Sequence, residues 1–308
     1  MKKHIVTAEE AGTRFDLLLT TLIKQSRSLI QKAIKSGDIT LNKKLVTPHV
    51  SVEEGDIVSY PDLSKLIKKA VKQPAPILEI LYEDKDLMVI NKPAGLVVHK
   101  AHLQDEDATV VDGVLKHFPK IKNVGDDPSR PGIVHRLDKD VSGVMVIAKT
   151  KKAFENLKEQ FKERDVKKEY LALVYGQLPR VTDRIDLKIA RSKQRGRMVA
   201  RTQQQEGREA ITDFEVLKLY KTTSFVRVHI LTGRTHQIRV HFLAIDHPLV
   251  GDKLYKKSHM KNIRPIELNR IFLHAHALTI KLLNGEEKTF TAPLPDELEH
   301  ILSIQPVL

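Results

Sequence analysis

The run Arg130-Pro131-Gly132-Ile133-Val134-His135-Arg136-Leu137-Asp138-Lys139-Asp140-Val141-Ser142-Gly143 sets an acid, Asp138, between two turn signals. Pro131-Gly132 marks the first turn, and Ser142-Gly143 marks another just before the apolar stretch Val144–Ala148. An acid so bracketed sits where a loop can present it at the surface of a sheet. A carboxylate held there can attack an electrophilic carbon or take a proton. Taken alone, an aspartate flanked by arginine and lysine is more often a solvated ion pair.

Other chemistries lack the residues they need. The chain has no cysteine, which removes disulfides, thiolate nucleophiles and cysteine-based zinc sites, and which fits a reducing cytoplasm. It contains no Gly-x-x-x-x-Gly-Lys-Ser/Thr phosphate loop and no His-Glu-x-x-His pair. Of its 14 histidines, His236 with His241, or His274 with His276, could suggest a metal. The first pair is misplaced by one residue for a shared helix face, and neither pair has a carboxylate at ligand spacing, so no metal is expected.

The elements that must position Asp138 belong to a chain of 308 residues, about two domains at roughly 150 residues each. A hydrophobic content of 41% is enough for ordinary globular cores. Lysine and arginine total 52 against 39 acids, a net charge of +13, which favours a polyanionic partner, with nucleic acid the first candidate. Met1-Lys2-Lys3-His4 has no apolar run behind it that could act as a signal peptide. No apolar stretch approaches the roughly 18 residues of a membrane span, so a soluble cytoplasmic protein is expected.

Thr13 to Lys24 carries Phe15, Leu18, Leu19 and Leu22 at helical spacing. Ser26 is placed to cap a second helix, Arg27 to Ser36, which Gly37 ends. Its apolar stripe is Leu29, Ile30, Ala33 and Ile34, and Arg27, Lys32 and Lys35 fall away from it. Asp38–Leu41 reads as a strand, Asn42-Lys43 as a tight turn, and Glu54-Gly55-Asp56 as a turn before Ile57-Val58.

Pro61, the lysines 65, 68, 69 and 72, and Pro74 and Pro76 mark a linker, with a brief helix over Lys65 to Val71. From Ile77 onward, strands are expected at Leu78–Tyr82, Leu87–Ile90, Val144–Ala148, Tyr170–Tyr175, Phe225–Leu231 and Leu278–Leu283. Lys151 to Arg164 is an amphipathic helix with Phe154, Leu157 and Phe161 inward. Strands with helices packed beside them predict an α+β domain with a mixed or antiparallel sheet.

Helix, basic helix and a hairpin with a basic turn resemble the S4 RNA-binding domain. The resemblance rests on Arg14 and Asp16, Ser26-Arg27, Ile34, Gly37-Asp38-Ile39 and Leu41-Asn42-Lys43. It implies RNA contacts from Arg14, Arg27, Lys32, Lys35 and Lys43.

The run His135 to Gly143 is in turn similar to the active-site signature of the RluA-type pseudouridine synthases, His-Arg-Leu-Asp-x-x-Thr/Val-Ser-Gly. Three further blocks occur in the family's order: Asn91-Lys92-Pro93-Ala94-Gly95 with Val97-Val98-His99, then Lys168 to Gly176, then Leu231 to His241. The wording of Ile133–Asp140 and of Pro248-Leu249-Val250-Gly251-Asp252 is closest to RluD-like members, which modify the helix 69 loop of large-subunit rRNA. Many members have threonine where Val141 stands, so a hydroxyl needed there must be dispensable or come from Ser142.

The resemblance implies Asp138 as nucleophile, or as the base that removes the 2′ proton. It implies Arg234 as the guanidinium that keeps Asp138 charged, Tyr170 stacked on a flipped uracil and active in proton transfer at C5, and Arg136 inserted where the uridine left the helix. No cofactor is expected, because isomerisation takes in no redox equivalent.

Together these readings predict an S4-like α/β module at 1–60, a linker at 61–76, and a pseudouridine synthase domain at 77–308. That domain is expected to hold a central mixed, mostly antiparallel sheet flanked by helices. The expected partner is RNA, foremost large-subunit rRNA, free or in an assembling ribosomal subunit, without membrane or small-molecule cofactor. The same chemistry at another rRNA site or on tRNA is the nearest alternative. A non-catalytic RNA-binding assembly factor is the alternative from another class.

Overall fold

The computed structural model describes residues 2–23, 27–61, 74–100, 107–192, 194, 196–256 and 266–307. Ser26, the segment 65–71 and the side chains of Leu29 and Lys32 lie outside the described residues. The chain divides into two compact units, one containing residues 2–61 and the other residues 74–100 and 107–307 among those described.

The N-terminal unit is built from β1 (Lys2–Ile5), α1 (Phe15–Ile23), α2 (Arg27–Ser36), β2 (Thr40–Leu41) and β3 (Ile57–Tyr60). The strands form an antiparallel sheet in the order β1-β3-β2. α2 has the bounds that the apolar spacing predicts. α1 begins at Phe15 because Arg14 is extended and bridges Ser51. Asn42 and Lys43 both take left-handed φ, 50° and 62°, giving the two-residue turn between Leu41 and Lys44. Phe15, Leu19, Ile30, Ile34, Ile39, Val52 and Val58 are buried together between helices and sheet.

One acid lies in that core. Asp16 is fully buried and accepts hydrogen bonds from Gln31, Arg27 and Arg14. Burial works against its charge, but those three donors outweigh it and hold the carboxyl at about 2.

The C-terminal unit is built on a nine-stranded mixed sheet. Its strands are β4 (Glu79–Glu83), β5 (Leu87–Lys92), β6 (Ser142–Ala148), β7 (Lys167–Tyr175), β8 (Thr182–Asp186), β11 (Ile211–Leu219), β12 (Thr223–Ile230), β13 (Leu273–Lys281) and β14 (Glu287–Thr291). A separate hairpin is formed by β9 (Lys188–Arg191) and β10 (Met198–Arg201). The order is β4-β5-β6-β13-β7-β12-β11-β8, with β14 also on β13. Only β6 and β13 run parallel; the other pairs of this sheet are antiparallel.

Helices α3 (Val110–His117), α4 (Lys151–Glu163), α5 (Gln237–Ala244) and α6 (Asp296–Ser303) accompany the sheet. Thr150 caps the start of α4 through a bond from the Ala153 N–H, and Arg164 ends it in a left-handed conformation. β6 is buried at all seven positions, as its apolar composition predicts for a strand covered on both faces. Val144 to Ala148 all join one core with Met88 and Ile90, and a second core gathers around Ala172, Val226, Phe242 and Leu273.

β6 also fixes the loop that carries Asp138. Gly143, with φ +119°, opens the strand where it meets β13; a Cβ there would lie 2.1 Å from the Ala275 carbonyl oxygen. Gly132, with φ +72°, starts the loop under the same constraint, 2.4 Å from the Ala148 carbonyl oxygen. Only glycine fits either end.

Candidate active site

The loop between Gly132 and Gly143 is held by buried polar contacts on several sides. Lys92, fully buried at the end of β5, donates to the carbonyls of Pro93, Leu96 and Lys139. The Gly95 N–H reaches the same Lys139 carbonyl at 2.9 Å. Burial above all, with the nearby Arg270 charge, pulls the Lys92 ammonium down to about 7 against the opposing effect of Asp140 and Asp138. The Val146 N–H donates to Nε2 of His135, whose ring stacks on Phe161 with centroids 4.6 Å apart. Burial and the Lys168 charge keep this imidazole neutral, with its pKa lowered to about 3.

At the far end, Ser142 Oγ lies 2.8 Å from His274 Nδ1 and accepts from Arg270 Nη2 at 2.6 Å. Ser142 is thus committed to the protein interior, and Val141 is packed in the core. Neither residue presents a hydroxyl to the acid. Among the described residues, no side-chain hydroxyl hydrogen-bonds the Asp138 carboxylate.

Asp138 stands at the edge of a cavity of about 430 Å³. Leu137, Val141, Tyr170, Ile230, Ile238 and Leu273 supply its apolar surface. Six cations line it, namely Arg136, Lys162, Arg164, Lys168, Arg234 and Arg239, against the single acid Asp138. This is a slot for a flat uncharged group below a rim suited to a polyanion. Tyr170, from β7, is buried; that burial, followed by the Asp138 charge, pushes its hydroxyl well above the ordinary phenol value. Burial pulls Lys168 down to about 8, with Arg164 adding to the effect.

The guanidinium that faces Asp138 belongs to Arg239, which corrects the expectation for Arg234. Arg239 Nη1 donates to Asp138 Oδ2 at 3.2 Å. Arg234 instead directs Nε to the Glu209 carbonyl at 2.9 Å. The cause is local backbone geometry. His236 takes φ 57° and caps α5, so the chain turns sharply between the two arginines. Gln237 locks this turn, since its Oε1 accepts from Thr232 Oγ1 and the Arg234 N–H while its Nε2 donates to Ile211 O and Thr212 Oγ1. Arg234 remains on the cavity wall, where burial and the charges of Arg164 and Arg208 weigh against its own.

Arg239 is held from its other side by Asp252, a fully buried carboxylate that follows the Pro248–Gly251 run. Asp252 accepts from Nε at 2.7 Å and from Nη2 at 3.0 Å. The guanidinium carbon lies 4.9 Å from the centre of the Tyr255 ring, and the Tyr255 hydroxyl lies 2.9 Å from His236 Nδ1. His236 Nε2 is 3.8 Å from Asp138 Oδ2. Burial opposes the Arg239 charge, but Asp252 and then Asp138 more than restore it.

Arg136 is exposed and lines both this cavity and a neighbouring one of about 460 Å³ that shares Asp138, His236 and Arg239. In the N-terminal unit, Lys35 and Lys43 are exposed, whereas Arg14 and Arg27 point part of their charge at Asp16. The histidines considered as metal pairs have protein partners: His241 contacts Thr212 and Leu187 O, and His274 contacts Ser142 and Ala292 O.

A family model described as RNA pseudouridylate synthase matches residues 86–244, a span that contains Asp138, Tyr170, Arg234 and Arg239. The chain belongs to the RNA pseudouridylate synthase family. An S4 domain model matches residues 13–58. An RNA pseudouridine synthase of Synechocystis is 40% identical over 94% of this chain and 88% of its own length. Ribosomal large subunit pseudouridine synthase D of Zymomonas mobilis is 34% identical over 96% and 94%. Among solved structures, human RNA pseudouridylate synthase domain containing 1 has a TM-score of 0.57 at 30% identity, covering 75% of this chain and 96% of that one.

Within this synthase fold, sequence reasoning brings Asp138, Tyr170, Arg136 and Arg234 to one cavity but does not single out Arg239, His236, Asp252 or Tyr255. Arg239 lies in the same block, Leu231 to His241, as Arg234, and Asp252 ends the Pro248–Asp252 run. Both signals were in the sequence without a geometry attached. Among the described residues, no helix is long and apolar enough to cross a membrane.

Proposed function

We propose that this pseudouridine synthase isomerises uridines in large-subunit rRNA, in the helix 69 loop, with Asp138 as the nucleophile. The observation that carries the reading is the position of Asp138, a carboxylate paired with Arg239 at the mouth of an apolar slot under a cationic rim. Relatives from Zymomonas mobilis, Blochmanniella floridana and Xanthomonas campestris named ribosomal large subunit pseudouridine synthase D, at 34–36% identity over 96–99% of this chain, favour the rRNA target.

In the reaction the N1–C1′ bond breaks, uracil turns over, C5 bonds to C1′ and gives up its proton, and N1 takes one up. Asp138 attacks C1′ or removes the 2′ proton; both routes start from its ionised carboxylate. Tyr170 stacks on the uracil and serves the proton transfer at C5. The uridine must leave its helix, at a cost of a few kcal/mol, and Arg136 fills the vacancy. With Arg239 on Asp138, Arg234 is left to grip the RNA backbone. Residues 1–60 act as an RNA-gripping module, joined by 61–76 to the catalytic domain at 77–308, in the cytoplasm and on rRNA that is free or within an assembling subunit.

The test uses large-subunit rRNA transcripts labelled with tritium at uridine C5, incubated with this protein and no added cofactor. Label release that maps to helix 69 is the expected result. Release from tRNA alone would move the target, and no release from any RNA would overturn the reading.

A further inference from the structure

Arg239 is shared unequally between two carboxylates. Asp252 takes Nε and Nη2 with both of its oxygens, whereas Asp138 receives Nη1 alone, on Oδ2. Among the described residues no protein donor reaches Asp138 Oδ1. Asp252 is fully buried and its Oδ1 also accepts the N–H groups of Leu254 and Tyr255, so its own position is fixed by backbone. Asp138 is about one-quarter exposed, at 23%.

A buried carboxylate with two short bonds neutralises more of a guanidinium than a partly exposed one with a single longer bond. The consequence falls on the reacting acid. A nucleophilic carboxylate must stay charged, but each donor and each increment of positive charge at its oxygens makes it less reactive toward carbon. We propose that Asp252 is a positioning residue that holds Arg239 edge-on and absorbs most of its charge, leaving Asp138 ionised yet with one oxygen free for the ribose. This inference rests on the proposed role of Asp138.

Asp138 is also faced by His236 from the start of α5, by Tyr170 from β7 and by Lys92 from β5, with Arg136, Lys139 and Asp140 in its own loop. Of these, His236 also feels the Asp252 charge, whereas among the described residues the direct partners of the Asp252 carboxylate are Arg239, Leu254 and Tyr255. Asp252→Asn is a suitable probe because its remaining oxygen can still accept from Leu254 and Tyr255, while the charge is removed and Nδ2 takes the place of the acceptor for Arg239 Nε.

The experiment measures tritium release from 5-labelled rRNA by the full chain across pH. For Asp252→Asn we expect kcat to fall roughly 10- to 100-fold, KM to stay within about twofold, and the acid limb of kcat to move to lower pH. The sign is diagnostic: Arg239, no longer shared, bears fully on Asp138 and makes it harder to protonate. An upward move of the limb means Arg239 has only lost its support, and overturns the proposal. An unchanged kcat, or a loss confined to KM, overturns it too.

If the thermal transition shows that Asp252→Asn does not fold, Arg239→Lys supplies the second arm. One ammonium held by Asp252 cannot serve both carboxylates, so the acid limb should then rise; an unmoved limb contradicts the proposal. Wild-type protein that releases no tritium overturns the proposed function itself, which separates the two failures.

Discussion

Arg239 reaches Asp138 across 101 residues of sequence, Nη1 to Oδ2 at 3.2 Å, while Arg234 turns to the carbonyl of Glu209. The two arginines of one short block are therefore divided between two tasks. Arg239→Ala should lower kcat by roughly 100-fold or more, since the nucleophile loses its only guanidinium partner among the described residues. Arg234→Ala should raise KM for RNA by about tenfold with kcat little changed. Steady-state tritium release measures both, and a larger kcat loss from Arg234→Ala would reverse the assignment.

Burial and the Asp138 charge push the Tyr170 hydroxyl up, so it stays protonated through the range in which the enzyme can be assayed. A raised value places its ionisation above that range. Tyr170→Phe should thus lower kcat by roughly 100-fold without removing an alkaline limb from the pH profile. A limb below pH 10 present in the wild type and absent in Tyr170→Phe would show that the hydroxyl ionises during turnover.

How far the site could be read in sequence follows from these residues. Asp138 and Tyr170 were legible because each sits in a contiguous block whose order along the chain is informative. The pairing of Asp138 with Arg239 was not, because it depends on His236 adopting a left-handed φ and on where α5 begins. Apolar spacing signals the central strands β5 and β6 and the helices α2 and α4 well. It fails for β1, where Lys2, Lys3 and His4 form a strand by pairing with β3, and for β8 to β10, short strands that bury only Ile185 and Ile189. Pairing, not local pattern, makes those strands.

Asp16 offers a test of the N-terminal unit. Its folded-state value of about 2 lies below the model-peptide value of 3.8, so its contribution is complete above that value and is lost as pH falls toward 2. Asp16→Asn should cost about 2 kcal/mol at pH 7, and the difference from wild type should close near pH 2. Hydrogen exchange of the α1 and α2 amides reads this directly. Equal protection at pH 7 would contradict the buried ion-pair account.

Lys35 and Lys43 are exposed cations of the N-terminal unit, apart from the Asp16 pairing that engages Arg14 and Arg27. Replacing both by alanine should reduce the slope of log affinity against log salt by about 1 to 2, with kcat on saturating RNA unchanged. An unaltered slope would remove these two lysines from the interface.

The central claim is that the Asp138 carboxylate performs the chemistry. Single-turnover tritium release from 5-labelled rRNA by Asp138→Asn, with RNA affinity measured alongside, tests it most directly. We predict no release above background with affinity retained within a few-fold; release at the wild-type rate would contradict the account.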